Sequence, residues 1–195
     1  MTFSAVLLAA GESRRMGADN KLLLAIDDEP VVRATARKLV AAGPVEIVVV
    51  LGHEADPVAR ALDGLAVRTV INPVWRDGQM TSVHAGLAAL DAPGEAILIC
   101  LADQPLLDAD DYRALVAAFA RNGDKSVLVP THGGRRGNPI VLAAAHRGEI
   151  LARGRNLGCK RFIARNPDLV ATVEFDTDAF VRDIDTPADY QASVS

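Results

Sequence analysis

Near its start the chain reads Ser4-Ala5-Val6-Leu7-Leu8-Ala9-Ala10-Gly11-Glu12-Ser13-Arg14-Arg15-Met16-Gly17, with Lys21 close behind. Residues 4–9 are small or apolar without alternation, so a strand here must be buried on both faces, as in a parallel sheet. In an open α/β sheet, ligands bind beyond the carboxyl ends of the strands. The loop that follows holds two glycines, two arginines and a lysine at that place. Small residues let backbone N–H groups approach phosphate oxygens, and the cations neutralise them. The loop therefore reads as a triphosphate cradle, with a solvated basic turn as the plain alternative. It is neither the dinucleotide fingerprint G-x-G-x-x-G nor the phosphate loop G-x-x-x-x-G-K-[ST].

The same rhythm runs onward. Further apolar runs at 46–51, 66–71, 95–101 and 126–130 predict strands buried on both faces, and amphipathic segments at 30–42, 55–62, 80–90 and 108–121 predict helices. Pro30 suits a first helical position, and Asp108 ahead of Asp110 and Asp111 suits a helix start. Strand and helix in alternation imply right-handed parallel crossovers, hence an α/β sheet with helices on both faces. After Pro130 the pattern changes. Gly133-Gly134-Arg135-Arg136-Gly137-Asn138-Pro139 predicts a turn or hairpin, followed by an apolar run to 145 and a basic, glycine-broken segment at 147–165. Late strands are expected at 169–175 and 180–184. With 195 residues, the expectation is one domain, residues 1–130 forming a nucleotide-binding part and 131–195 an acceptor-binding part.

Composition removes several classes of function. Half the residues are hydrophobic and 24% are charged, which argues against disorder, collagen and coiled coil. A net charge of −4 is a poor basis for nucleic-acid binding. The apolar runs are too short to cross a membrane. No basic residue precedes the first of them, so it does not read as a secretion signal. Cys100 and Cys159 match no zinc or redox spacing. A cytoplasmic protein with no nucleic-acid and no membrane partner is expected.

Taken in order, five segments resemble one family. The string LAAGESRRMG with Lys21 resembles the signature LAxGxSxRMG…K of the nucleotidyltransferases related to the molybdenum cofactor enzymes. Asn72-Pro73 with Trp75, Gly78, Gln79 and Ser82 is similar to the segment that closes over the nucleotide base. Asp103-Gln104-Pro105 resembles the D-x-P metal motif, and Arg136-Gly137-Asn138-Pro139 the R-G-x-P turn. Asp183-Ile184-Asp185-Thr186-Pro187-Ala188-Asp189-Tyr190 resembles the D-x-D-T-P-x-D-Y terminus.

The resemblance implies a three-layer, Rossmann-like nucleotidyltransferase fold with a mostly parallel central sheet. It implies Mg²⁺-dependent transfer of a nucleotidyl group from an NTP to a phosphorylated acceptor, with release of pyrophosphate. Arg15 (or its neighbour Arg14) and Lys21 would hold the β- and γ-phosphates. Leu8, Ala9, Ala10, Gly11 and Ser13 would line the nucleotide, while Asn72, Gly78, Gln79 and Ser82 would contact base or ribose. Asn138 would contact substrate. Asp103 would bind Mg²⁺ together with Asp185, and Asp183 competes for that place because i and i+2 share a face of an extended chain. Ala10, where the guanylyl branch has glycine, favours CTP. The acceptor implied is molybdopterin, with a molybdenum hydroxylase as possible client. A guanylyltransferase, a sugar- or alcohol-phosphate nucleotidyltransferase and a non-catalytic accessory protein are the alternatives. Asn20 directly before Lys21 and His84 in the helix depart from the family pattern.

Each residue also has a plainer reading. Asp103 ends a strand, and Asp185-Thr186-Pro187 fits a helix cap. Asn72-Pro73 fits a turn, and Gln79 and Ser82 a solvated helix start. His53 and His132 follow strand ends, where they would line a cleft, whereas His146 reads as a surface residue and Cys100 as core. The basic run 153–161 reads either as a solvated face or as an anchor for an anionic acceptor.

Overall fold

A computed structural model of the chain describes residues 1–13, 16, 19–152 and 159–193. Within them the elements run β1 (Phe3–Ala9), β2 (Ala25–Ile26), β3 (Glu29–Pro30), α1 (Val31–Ala41), β4 (Ile47–Leu51), α2 (Ala55–Ala61), β5 (Arg68–Ile71) and α3 (Gln79–Ala89). There follow β6 (Ala96–Leu101), α4 (Ala109–Ala120), β7 (Val127–His132), β8 (Arg135–Arg136), β9 (Ile140–Ala143), α5 (Arg147–Ala152), α6 (Cys159–Arg165), β10 (Val170–Glu174) and α7 (Pro187–Ser193). Arg14, Arg15 and Gly17 of the opening motif, and residues 153–158 of the basic run, lie outside the described residues.

The main sheet has the order β10-β7-β9-β6-β1-β4-β5, with β8 attached to β7. β1 pairs parallel with β4 and β6, β4 with β5, and β7 with β10. β9 alone in this path runs against its neighbours, β6 and β7. The hairpin explains the reversal. Gly133 and Gly134 both have positive φ, a turn that costs glycine little, and it sends the chain back along β7.

β1 is buried along its whole length because both of its faces are covered. Ala5, Leu7 and Ala9 face a cluster with Val32 and Leu39 of α1, Val58 of α2 and Leu115 of α4. Val6 and Leu8 face the opposite cluster, with Val83 and Leu87 of α3, Ile150 of α5 and Phe162 of α6. The result is a helix–sheet–helix sandwich with a mostly parallel sheet, as expected. Burying a side chain such as Leu7 or Leu98 contributes about 1.5–3 kcal/mol. α4 begins as the sequence suggests: Asp108 Oδ1 accepts from the N–H groups of Asp110 and Asp111, and Asp111 returns a bond from the N–H of Asp108. Among the described residues no helix is long and apolar enough to cross a membrane.

Three local expectations are corrected. β5 is not buried on both faces, because it is the edge of the sheet and Arg68, Thr69 and Ile71 are exposed. Pro30 caps α1 from outside, with φ −57° and ψ 140°, rather than opening it. Residues 180–184 form no strand. Thr177 accepts from the N–H of Ala179 and starts a 3-10 turn, Asp178–Val181. Arg182 after it is extended, and residues 182–185 join neither a strand nor a helix.

Candidate active site

β1, β4, β5 and β6 all end at one edge of the sheet, and backbone bonds lock their ends together. The Ala102 N–H donates to the Leu8 carbonyl (3.1 Å), that of His53 to Ala10 (3.2 Å) and that of Asn72 to Leu51 (2.8 Å). Above this edge opens a cleft of about 400 Å³. Leu8, Ala10 and Gly11 form one side, Trp75, Gln79 and Ser82 another, and Asp103, Asp183 and Asp185 a third. Leu8 and Ala10 point the same way by the two-residue period of an extended chain. Ala9 faces the α1 cluster, so any ligand contact from it is through the backbone.

A backbone bond helps to bring the carboxylates together. The Ile184 N–H donates to the Asp103 carbonyl at 2.9 Å, which lays the stretch before α7 beside the end of β6. Ile184 turns into the core, so Asp183 and Asp185 turn the other way. One oxygen from each of Asp103, Asp183 and Asp185 lies within 4.8 Å of the others. α7 stabilises this course. Asp189 Oδ2 accepts from the N–H and hydroxyl of Thr186 and from the N–H of Asp185, while the Thr186 hydroxyl accepts from the Asp189 N–H. Within the cap read over Asp185-Thr186-Pro187, the capping side chain is thus that of Thr186.

Lys21 lies across the triad. Its Nζ is 2.5 Å from Asp103 Oδ2 and 2.8 Å from Asp185 Oδ1, with 13% of the side chain exposed. The departure at Asn20 has a use here. Its Oδ1 accepts from the Leu22 N–H, capping the 3-10 turn that carries Lys21, and its Nδ2 donates to Glu54 Oε2 at 3.0 Å. Ser13 Oγ accepts from the Lys21 N–H at 3.2 Å. Burial opposes the charge on Lys21, but Asp103 and Asp185 outweigh it and hold its pKa above the ordinary value. Burial also pushes the Asp103 carboxyl up, and Asp183 adds to this against the pull of Lys21. Among the described residues, three carboxylates face the one ammonium of Lys21.

This donor set fits a small divalent cation. Hard carboxylate oxygens suit Mg²⁺ or Mn²⁺, which take one or two carboxylates and fill the rest with water and phosphate. Asp103 Oδ1 is buried without a hydrogen-bond partner among the described residues, an arrangement that a polar group seldom keeps unless something else binds it.

Of the other candidates, Asn72, Gly78 and Asn138 are not in the lining of this cleft. Asn72 is 2% exposed. Its Nδ2 donates to Thr81 Oγ1 (2.8 Å) and Ser82 Oγ (3.0 Å), and its Oδ1 accepts from the Val74 N–H. Its amide therefore clasps the loop before α3 onto that helix. Gly78, with φ 114°, makes the turn into α3. Asn138 lines a neighbouring cavity of about 320 Å³ with Arg136, Met80 and Ile163; it shares Leu8, Gln79 and Leu101 with the first. His53 stands by Trp75, ring centroids 5.5 Å apart. His132 Nδ1 is 2.8 Å from the Phe175 carbonyl, and it lines neither cavity. His146 is not a plain surface residue, since its Nε2 meets Ser126 Oγ at 2.6 Å and its ring meets Phe162. Cys100 is fully buried, and burial pushes its thiol well up.

Gly52 went unread in the sequence. A Cβ there would lie 2.7 Å from Trp75 Cγ and 2.8 Å from Ala10 Cβ. The available signal was a glycine directly after a buried strand.

With this geometry in view, the comparisons with known proteins agree. Residues 5–170 match the family model of the MobA-like NTP transferase domain. The chain belongs to this nucleotidyltransferase family. It is 30% identical over 192 residues to nicotine blue oxidoreductase of Paenarthrobacter nicotinovorans, covering 93% of this chain and 91% of that protein. It is 38% identical over 135 residues to the bifunctional protein GlmU of Sorangium cellulosum, covering 66% of this chain and 28% of that one. With 2-C-methyl-D-erythritol 4-phosphate cytidylyltransferase of Parasynechococcus marenigrum it shares 41% identity over 115 residues, 53% of this chain and 49% of that one. Against these last two, the chain spans half of the relative or less. A Methanothermobacter nucleotidyl transferase superposes with a TM-score of 0.83 at 27% identity, covering 99% of this chain and 96% of that one. Rv0371C of Mycobacterium tuberculosis H37Rv, solved in complex with manganese, superposes at 0.76 with 26% identity, covering 99% and 97%.

Proposed function

We propose that the protein transfers a nucleotidyl group from an NTP, CTP by preference, to a phosphorylated acceptor, with Mg²⁺ as cofactor. The observation that carries this reading is the meeting of Asp103, Asp183, Asp185 and Lys21 at the mouth of a cleft walled by the loop after β1 and the start of α3. An acceptor phosphate oxygen attacks the α-phosphorus. The bond from that phosphorus to the bridging oxygen breaks, and pyrophosphate leaves. Bound to Asp103 with Asp185 or Asp183, Mg²⁺ would supply charge neutralisation at the α-phosphate. The chain's own part is positioning and electrostatics. Lys21 and Arg15 would bind the β- and γ-phosphates, the Ala10–Gly11 backbone would flank the nucleotide, and Trp75, Gln79 and Ser82 would bound the base and ribose.

Ala10 and the cytidylyltransferase relative support CTP. Molybdopterin is the acceptor we favour, from the motif resemblance, with a molybdenum hydroxylase as the client of the product. The adjoining cavity with Arg136 and Asn138 suits the acceptor, in keeping with an acceptor-binding role for residues 131–195. The test is Mg²⁺-dependent pyrophosphate release from CTP and molybdopterin. Asp103→Asn should lower kcat by at least ~10²-fold, on the scale of losing one transition-state charge contact, with an unchanged circular dichroism spectrum. Undiminished release from a folded Asp103→Asn protein would remove the metal assignment.

A second reading has one specific support, the near full-length likeness to a protein named an oxidoreductase. Under it the cleft would hold a nicotinamide nucleotide instead of a triphosphate. NADPH binding that excludes CTP, read from Trp75 fluorescence, would favour it over nucleotidyl transfer.

A further inference from the structure

We propose that Lys21 is the counter-ion of the metal site before substrate arrives, and that its departure to the triphosphate couples metal binding to NTP binding. The inference rests on the nucleotidyltransferase reading and adds an order of events to it. Nζ of Lys21 bonds Asp103 Oδ2 and Asp185 Oδ1, oxygens of two carboxylates in the triad that gathers within 4.8 Å. A cation held by those carboxylates and an ammonium bonded to them repel one another across a partly desolvated gap, so each weakens the other's hold even where the cation takes Asp103 Oδ1 and leaves Oδ2 to the lysine.

The bridge is not built as a closed structural ion pair. In such a pair the remaining carboxylate oxygens are satisfied by further hydrogen bonds, whereas Asp103 Oδ1 has no partner among the described residues. The lysine is mounted so that only its side chain need move. Its backbone N–H is held by Ser13 Oγ, and its turn is capped by Asn20, which is 7% exposed and tied to Glu54. Ser13 sits two residues past Gly11, which lines the cleft, so the same anchor keeps the swinging ammonium beside the proposed phosphate cradle. When a triphosphate takes the ammonium, the carboxylates are vacated for the metal. By linkage the metal must then raise NTP affinity by the factor by which NTP raises metal affinity.

The readout is Mn²⁺ binding followed by electron paramagnetic resonance, without nucleotide, on the full chain. Lys21→Met keeps most of the stem and deletes the charge. It should bind Mn²⁺ alone about tenfold or more tightly than wild type, within the usual range of such couplings. Lys21→Arg should stay close to wild type. Removing the ammonium also leaves three carboxylates facing one another. Without metal, Lys21→Met should therefore melt below wild type, and millimolar Mn²⁺ should raise its Tm more than it raises that of wild type. Equal or weaker Mn²⁺ affinity in Lys21→Met, or equal Tm gains in the two proteins, overturns the proposal. The two readings fail separately. Metal-dependent turnover in wild type with unchanged Mn²⁺ affinity in Lys21→Met sinks the coupling alone, whereas absence of turnover sinks the activity.

Discussion

Gly86 lies in the middle of α3, where alanine ordinarily stabilises a helix by about 1 kcal/mol. The packing beneath it reverses that expectation. A Cβ at Gly86 would lie 2.2 Å from Val6 Cγ1 and 2.9 Å from Val50 Cγ2, against a normal carbon–carbon contact of about 3.5–4.0 Å. Val6 and Val50 belong to β1 and β4, the centre of the sheet, and both are fully buried. They have no open space to turn into, so α3 would have to lift by more than about 1 Å. Overpacking of this kind costs about 1–3 kcal/mol or more, and a clash this deep belongs at the upper end. Net of the helix gain, Gly86→Ala should destabilise by roughly 1–2 kcal/mol. In a chain of this size that is a fall in Tm of about 2–8 °C. Urea titration is the assay: the midpoint should fall with an unchanged slope. Since Gln79 and Ser82 sit at the start of the same helix and line the cleft, nucleotide affinity should fall as well. Adding Val6→Ala removes the nearer offending methyl, so the double variant should lose less than the two single losses together. A Gly86→Ala protein as stable as wild type, or strict additivity with Val6→Ala, would show that α3 does not lie this close to the sheet.

Two other perturbations test separate parts of the frame. Glu46 joins the start of β4 to the loop after α3, with Oε2 accepting from the Asp91 and Ala92 N–H groups and Oε1 from Arg68. Burial alone would raise its pKa, but the Ala92 N–H, Arg68 and the Asp91 N–H outweigh burial and hold it below the ordinary glutamate value. A depressed carboxylate stabilises fully above its unfolded pKa of about 4.3 and loses that contribution as pH falls through the folded value. The stability gap between wild type and Glu46→Gln should thus be flat at neutral pH, on the order of 1–3 kcal/mol for charged hydrogen bonds, and close in acid. A gap that widens in acid would refute the role of Glu46. Gly52→Ala should drive Trp75 and the Ala10 backbone apart, weakening CTP binding severalfold and shifting the emission of the chain's single tryptophan. Unchanged emission with unchanged CTP affinity would mean that Trp75 is not part of the cleft wall.

How much of this was legible in the sequence depends on the range of the interaction. The central parallel strands were readable because burial on both faces leaves an unbroken apolar run, a local signal. The edge position of β5 was not, since Val-Ile beside Arg-Thr becomes an edge only when no strand follows outside it in the sheet order. The antiparallel course of β9 was half visible, in the paired glycines of the hairpin. Contacts of long separation were silent. Nothing near Lys21 announces Asp103 or Asp185, and a glycine such as Gly86 reads locally as a weakness in a helix until the sheet beneath it is known. Asn20 looked like an interruption of the motif, yet it caps the turn that presents the lysine.

The segment from Asp183 to Tyr190 shows why a structural and a chemical reading of one motif need not compete. Asp185 before Thr-Pro fits a helix cap, and it equally fits a cation ligand, so the sequence left one carboxylate with two claims on it. The fold divides the claims between neighbours. Thr186 and Asp189 make the reciprocal cap of α7, and Pro187 occupies the first helical position, where its missing N–H costs nothing. The cap fixes where the stretch before it ends. The backbone bond from Ile184 to Asp103 helps to fix where it runs, and alternation then turns both flanking carboxylates toward Lys21 and Asp103. A helix cap, a buried isoleucine and a pair of carboxylates at i and i+2 are therefore parts of one device. Each term of D-x-D-T-P-x-D has a physical task, and displacing the cap by a single residue would turn the carboxylates away from the site.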